Sequence, residues 1–297
     1  MSAPTPQRTI FITGCSDGSL GAHLVVAFRD AGWRVFATAR NLSKLRSAEA
    51  TGIETLQLDT LSDESIADAV SKVSTLTGGS LDMLINNAGA GYSMPVMDLD
   101  LAKARELFDL NFFSLISTTR AFLPLLRASA TTHGGVRGGM VVNNTSCSSL
   151  TPGVMPFSGA YNASKAAATN LTEAMRLELA PFGIKVINLM TGSVRSTFHA
   201  NAVHDALPDS SLYNVAKEVV ERAMSGVDST AEGADPVTWA TRVARTLSKE
   251  SPPHWVYCGK YSTMVRVADL LPVGTTDFII EPKVGLDKLK QKLRKET

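Results

Sequence analysis

The sequence predicts an α/β fold: one doubly wound, mostly parallel sheet with helices on both faces and a helical C-terminal extension. Three observations lead there. Short apolar runs at residues 9–12, 35–38, 56–58, 81–85, 140–142 and 185–189 alternate with longer amphipathic segments. The first run leads straight into a glycine-rich turn. The spacing between runs leaves room for crossover helices, and right-handed βαβ crossovers build a parallel sheet.

Residues 9–12 form the first strand and 22–31 the first helix, with Gly32 at its left-handed C-terminal position. A second strand over 35–38 ends at Ala39-Arg40. A third covers 56–58, and Ser62 caps a helix running to about residue 76. The fourth strand, 81–85, enters Asn86-Asn87-Ala88-Gly89. A long amphipathic helix is expected over 101–128, then a Gly-rich loop over 131–138 and a fifth strand over 140–142. A helix over 160–179 and a sixth strand over 185–189 follow. Residues 198–235 read as a mostly helical, polar substrate-loop region interrupted at Pro208. Beyond residue 254, apolar and basic residues mix without one clear period. No linker sets this extension apart, so residues 9–297 are expected to form one domain behind a flexible tail of residues 1–8.

Of the 297 residues, 44% are hydrophobic and 19% charged, enough for a sizeable core. A formal net charge of +1 gives no reason to expect nucleic acid as a partner. Cys15, Cys147 and Cys258 are odd in number and widely spaced, which suits free thiols in a reducing compartment. The polar opening is not a secretory signal, and no apolar run is long enough to span a bilayer. The N-x-[ST] sequons are treated as chance. A cytoplasmic protein without a metal is expected.

The segment Gly14-Cys15-Ser16-Asp17-Gly18 carries two readings. As G-x-S-x-G it fits the strained elbow of a serine hydrolase, with Ser16 as nucleophile. Extended to Gly21, it fits a turn whose backbone N–H groups approach a pyrophosphate at a helix N-terminus. The hydrolase needs a base and an orienting acid. None of His23, His133, His199, His204 and His254 has a local context that marks such a base. An ordinary tight turn is the bland alternative.

At the end of the second strand an NAD-preferring site wants Asp or Glu. Arg40 stands there instead, the cation expected for the 2′-phosphate of NADP(H), or else a solvated arginine. Tyr161 and Lys165 lie four apart and share one face of a helix. A phenol with pKa near 10 is a poor proton donor or acceptor at neutral pH. A neighbouring ammonium lowers that pKa towards the working range.

Taken in order over residues 9–197, TGCSDGSLG, Arg40, Asp59, NNAG, Asn111, Ser148, YNASK and TGSV resemble the short-chain dehydrogenase/reductase family. The resemblance implies a single-domain Rossmann fold and NADP(H) as cofactor. It makes Tyr161 the general acid in reduction, with Lys165 lowering its pKa and holding the nicotinamide ribose. Ser148 would orient the carbonyl, and Asn111 would support a water relay to Lys165. Cofactor contacts are implied for Gly14, Ser16, Gly18, Leu20, Gly21, Arg40, Asp59, Asn87, Ala88 and Gly89, and for Tyr161, Lys165, Val194 and Ser196.

Each position has a structural alternative. Ser146 is the fallback for Ser148, which family spacing selects thirteen residues before the tyrosine. Asn111 could be a buried amide satisfied by backbone, Asp59 a strand-end cap and Asn87 a brace of the sheet.

Two departures stand out: Gly18 and Gly21 are one residue further apart than the family's usual turn, and Thr191 replaces a usual proline. Both are similar to a fungal and yeast subgroup resembling 1-acyldihydroxyacetone-phosphate reductases, as is the tail CGKYSTMVRVADLLPVGTTDFIIEPKVGLDKL. That subgroup implies a lipophilic ketone or alcohol as substrate, either an acyl-dihydroxyacetone phosphate or a polyketide or terpenoid intermediate. It also implies a homo-oligomer, and leaves room for peripheral attachment to endoplasmic reticulum or lipid droplets. A serine hydrolase on Ser16 and a non-catalytic dinucleotide sensor are the competing readings.

Overall fold

A computed structural model describes residues 7–132, 139–202 and 205–296. Its centre is a seven-stranded sheet of order β3-β2-β1-β4-β5-β6-β7. The strands are β1 (Thr9–Ile12), β2 (Arg34–Ala39), β3 (Glu54–Gln57), β4 (Met83–Asn86), β5 (Met140–Asn144), β6 (Lys185–Thr191) and β7 (Trp255–Cys258). Every neighbouring pair is parallel.

The strands read as continuous apolar runs because both faces of the sheet are covered. β1 shows this directly. Ile10 and Ile12 join the core under the Leu20–Asp30 and Pro236–Leu247 helices, with Phe28, Trp239 and Val243. Phe11 points the other way, to Phe36, Ile66 and Phe122 beneath the Asp63–Thr77 and Ser114–Thr132 helices. The Phe11 and Phe122 ring centroids are 4.5 Å apart. Removing a buried ring of this kind costs about 3–5 kcal/mol.

Local signals fix several boundaries. Ser62 accepts a hydrogen bond from the Ser65 N–H and opens the Asp63–Thr77 helix. Gly32 takes φ +86° after the first helix. The strand order reverses between β1 and β4, so the glycine turn and the Asn86–Gly89 segment leave neighbouring strands at one edge of a crevice. In open α/β sheets that switch point is where ligands bind.

Three expectations need correction. The helix over 101–128 is two helices, Leu101–Phe108 and Ser114–Thr132, joined by a π-turn at Asp109–Phe113. An inserted residue of this kind leaves the hydrophobic period on each side intact, so periodicity does not detect it. Among the described residues, the stretch 198–235 holds short helices, Lys217–Met224 and Val227–Glu232, and a 3₁₀ turn at Leu212–Ala216. The extension is helical as expected over Ser262–Ala268, Asp277–Lys283 and Leu286–Glu296, but it begins with β7, a strand half-buried at the sheet edge, where too few residues alternate for a period to register. The Pro236–Leu247 helix was also unread, although Asp235 caps it through the Thr238 N–H and Pro236 fits its first turn. The Gly-rich loop over 133–138 and most of the N-terminal tail lie outside the described residues.

Candidate active site

The glycine turn is held open by close contacts. Gly14 and Gly18 adopt φ +70° and +76°. A Cβ on Gly14 would sit 2.8 Å from Ala88 Cα, and one on Gly21 would sit 2.4 Å from the Gly14 carbonyl oxygen. Side chains at these positions would push the turn off β4 and off the helix that Leu20 begins. Ser19 caps that helix, accepting from the Ala22 N–H at 3.2 Å. The extra residue between Gly18 and Gly21 therefore includes the capping serine.

Behind the turn, Thr13 Oγ1 accepts from the N–H groups of Asn87 and Ala88, both at 2.9 Å. Asn87 Nδ2 donates to the carbonyls of Thr13 (2.9 Å) and Gly14 (3.1 Å). Asn144 Nδ2 donates to Asn87 Oδ1 at 2.8 Å, and Thr191 Oγ1 donates to Asn144 Oδ1 at 2.6 Å. One chain of side-chain hydrogen bonds thus pins the ends of β1, β4, β5 and β6. Asn87 does brace the sheet, and Thr191 does so where the family usually has proline. Gly89 comes next to Asn111 and Lys165: a Cβ there would lie 3.0 Å from Asn111 Oδ1 and 3.5 Å from Lys165 Nζ.

The 191–198 segment folds over the turn. The Thr197 N–H donates to the Gly18 carbonyl at 3.2 Å. Val194 bridges to Ala234, and Ser196 Oγ accepts from the Phe198 N–H at 3.3 Å. At the opposite end, Arg40 is exposed and its guanidinium has no partner among the described residues. The same holds for Lys44 and Arg46, four and six residues on. Asp59 Oδ1 accepts from the Leu61 N–H at 3.0 Å, a strand-end cap that leaves its second oxygen open.

Ser16 lacks the surroundings of a nucleophile. Among the described residues no histidine or carboxylate hydrogen-bonds to it, and the neighbouring Asp17 accepts instead from the Ser47 N–H at 3.2 Å. His133 and His204 lie outside the described residues. Burial pushes the adjacent Cys15 thiol up to about 12, so it stays protonated.

Tyr161 and Lys165 stand on the Gly159–Leu179 helix. Burial pushes the Tyr161 phenol up, and hydrogen bonds with the Ser146 and Ser148 hydroxyls pull it down, Ser146 the more strongly. The two serines bond to each other, Ser148 Oγ donating to Ser146 Oγ at 2.9 Å. Both candidate serines therefore lower the phenol from its desolvated value. The Lys165 ammonium is buried and donates to the Asn144 carbonyl at 2.9 Å. Burial draws it down to about 8. In the protein alone Lys165 is not among the groups that shift the phenol: desolvation raises it, and the serine hydroxyls supply the opposing effect.

Asn111 sits in the π-turn and is 1% exposed. Its Oδ1 accepts from the Ala90 N–H at 2.9 Å, and its Nδ2 donates to the Ala90 carbonyl and to Ser164 Oγ, each at 3.0 Å. The side chain is a backbone clamp, and it brings the π-turn beside Lys165. Two further residues had not been singled out. Asn144 links Lys165, Asn87 and Thr191; its signal was a polar pair, Asn143-Asn144, ending an otherwise apolar strand. Phe198 lies with its ring centroid 5.5 Å from that of Tyr161, a tertiary contact without a local signature.

A glycine cradle at the switch point of a doubly wound sheet, with a tyrosine, a lysine and two serines beside it, defines a dinucleotide-binding enzyme. The short chain dehydrogenase family matches residues 8–207. A short-chain dehydrogenase/reductase of Pestalotiopsis microspora is 42% identical over 97% of this chain and 98% of its own length. The NADPH-dependent 1-acyldihydroxyacetone phosphate reductase of Schizosaccharomyces pombe is 33% identical over 90% of each chain. Among solved structures, a short-chain dehydrogenase from Streptomyces avermitilis superposes with a TM-score of 0.75 at 26% identity, covering 97% of this chain and 98% of its own. The chain belongs to the short-chain dehydrogenase family and is an oxidoreductase. That family binds NAD or NADP.

Proposed function

We propose that this protein is an NADPH-dependent carbonyl reductase acting on a lipophilic ketone. The observation that carries the reading is Tyr161 and Lys165 one turn apart on the Gly159–Leu179 helix, with the hydrogen-bonded Ser146–Ser148 hydroxyl pair acting on the phenol. When bound, the reduced nicotinamide supplies a hydride to the carbonyl carbon. Tyr161 passes its hydroxyl proton to the carbonyl oxygen, while Ser148, backed by Ser146, holds that oxygen by hydrogen bonding. Lys165 turns to the ribose and to the phenolate that forms, and its charge stabilises that anion. Asn111 holds the backbone where a water relay reaches Lys165.

The residues fit the dinucleotide. Gly14, Ser16, Gly18, Leu20 and Gly21 form the pyrophosphate cradle, which a Cβ at Gly14 or Gly21 would fill. Asp59, Ala88 and Gly89 would hold the adenine and ribose side of the cofactor, and Val194 and Ser196 would hold its nicotinamide side. NADP(H) is favoured over NAD(H) by the unpartnered Arg40, with Lys44 and Arg46 close in sequence; the fission-yeast relative is itself NADPH-dependent. The ketone is an acyl-dihydroxyacetone phosphate or a polyketide or terpenoid intermediate; the fission-yeast relative is named for the first of these.

Tyr161→Phe keeps the ring and removes the proton. Turnover is expected to fall by about 10³-fold or more with NADPH affinity within a fewfold of wild type, measured by NADPH consumption and fluorescence titration. Near-normal turnover would overturn the mechanism.

The free, buried state of Cys15, Cys147 and Cys258 supports a cytoplasmic setting. A homo-oligomer is supported by the Gly159–Leu179 helix, with its run Ala166-Ala167-Ala168, and by an open groove on the Ser114–Thr132 helix between Leu123, Pro124 and Arg127. No helix among the described residues is long and apolar enough to cross a membrane. Peripheral attachment is supported by the extension, where Leu270, Val273 and Phe278 are 85%, 85% and 74% exposed beside a lysine-rich terminal helix.

A further inference from the structure

We infer that the pocket beside Tyr161 selects an uncharged, largely apolar ketone bearing a hydroxyl donor, and rejects a phosphorylated one. The inference rests on the reductase reading above and decides between its two substrate classes. The Phe198 ring lies between those of Tyr161 and His199 (centroids 5.5 and 5.2 Å), and His199 lines a cavity of about 710 Å³. That volume suits a drug-sized organic molecule. Its near rim is Ser93, whose hydroxyl lies 3.4 Å from that of Ser158, the residue preceding the catalytic helix. Met224 and Val227 form much of its apolar wall.

Two of the three titratable side chains on that wall are carboxylates, and the third is His199. Asp205 and Glu221 line the cavity, and no lysine or arginine does so among the described residues. Asp205 is tied through one oxygen to Lys103 at 2.6 Å. Glu221 uses one oxygen to accept from the Leu207 N–H at 3.0 Å, and Lys217 stands 3.8 Å from the same oxygen. The second oxygen of each carboxylate has no described partner. A phosphate monoester brings close to two negative charges and needs cations or N–H groups to replace its hydration. Here it would meet two carboxylates whose own cations are already engaged. A hydroxyl or phenol on a neutral ketone, by contrast, donates to the open carboxylate oxygens while the apolar body covers Met224 and Val227.

The test compares two ketones that differ only in the phosphate: 1-butanoyl-dihydroxyacetone and its 3-phosphate. Calorimetric binding to the full chain saturated with NADP⁺ reads the preference without depending on turnover. The neutral ketone is expected to bind at least about tenfold more tightly. In Glu221→Gln and Asp205→Asn, discrimination should shrink several-fold, chiefly because the phosphate binds better. Equal or tighter binding of the phosphate by wild type would overturn the inference, as would failure of the neutral ketone to bind at millimolar concentration. NADPH consumption is followed separately: a ketone that binds with the expected preference but is never reduced would sink the reductase reading and leave the pocket's selectivity standing.

Discussion

Lys165 donates its ammonium proton to the Asn144 carbonyl at 2.9 Å, and Asn144 in turn ties Asn87 and Thr191 into the same network. Lys165 is therefore anchored to the strand ends that also hold the glycine turn. Its burial has a consequence for pH. The folded-state value, about 8, lies below the ordinary 10.5, so between those values the unfolded chain binds more protons. Stability contributed by this site is lowest below about pH 8 and is regained as pH rises towards 10.5. Thermal melts of wild type minus Lys165→Met should show that rise across this window, and a flat difference would refute it. Turnover should move the opposite way, because the ammonium that stabilises the phenolate is lost above about pH 8.

The serine pair predicts unequal but linked losses. Ser148→Ala should lower turnover by about 10²-fold or more, since it removes a donor to the carbonyl oxygen. Ser146→Ala should lower it by about tenfold, by loosening Ser148 and the phenol together. The double variant should fall short of the product of the two, because both act on one hydroxyl network. Steady-state kinetics of the three variants decides this. A larger loss for Ser146→Ala would exchange their roles.

Arg40 is expected to set cofactor choice. A charge-assisted hydrogen bond contributes about 1.5–3 kcal/mol, roughly ten- to a hundredfold in affinity. Arg40→Asp should weaken NADPH by that factor and strengthen NADH, read as the ratio of kcat/KM for the two cofactors. An unchanged ratio would leave the guanidinium as surface charge.

The extension should bind anionic membranes if its exposed apolar residues and terminal lysines act together. Sedimentation with vesicles containing phosphatidylserine should retain the wild type and release Leu270→Ser/Phe278→Ser. Neutral vesicles should retain less. No sedimentation with either would remove the membrane from the proposal, and light scattering on the same samples reports whether the patch joins subunits instead.

Much of this protein was legible from its sequence, because alternating strands and helices, Ser62, Gly32 and the glycine turn are signals carried by neighbouring residues. The six apolar strands, their parallel arrangement and the pairing of Tyr161 with Lys165 on one helix all follow from local periodicity. The identity of the glycines at 14 and 21 likewise announced a close approach, although not to what. Tertiary structure alone decided the rest. A π-turn at Asn111 leaves the flanking periods unbroken, and β7 is a strand only because β6 offers it an edge. The direction of the Tyr161 and Lys165 shifts depends on burial, which the order of residues does not state. Whether Ser16 meets a base, which serine faces the phenol, and where Asp205 and Glu221 converge are distances between residues remote in the chain. Chemistry at a site is set by such distances, and only packing of the whole sheet and its helices assigns them.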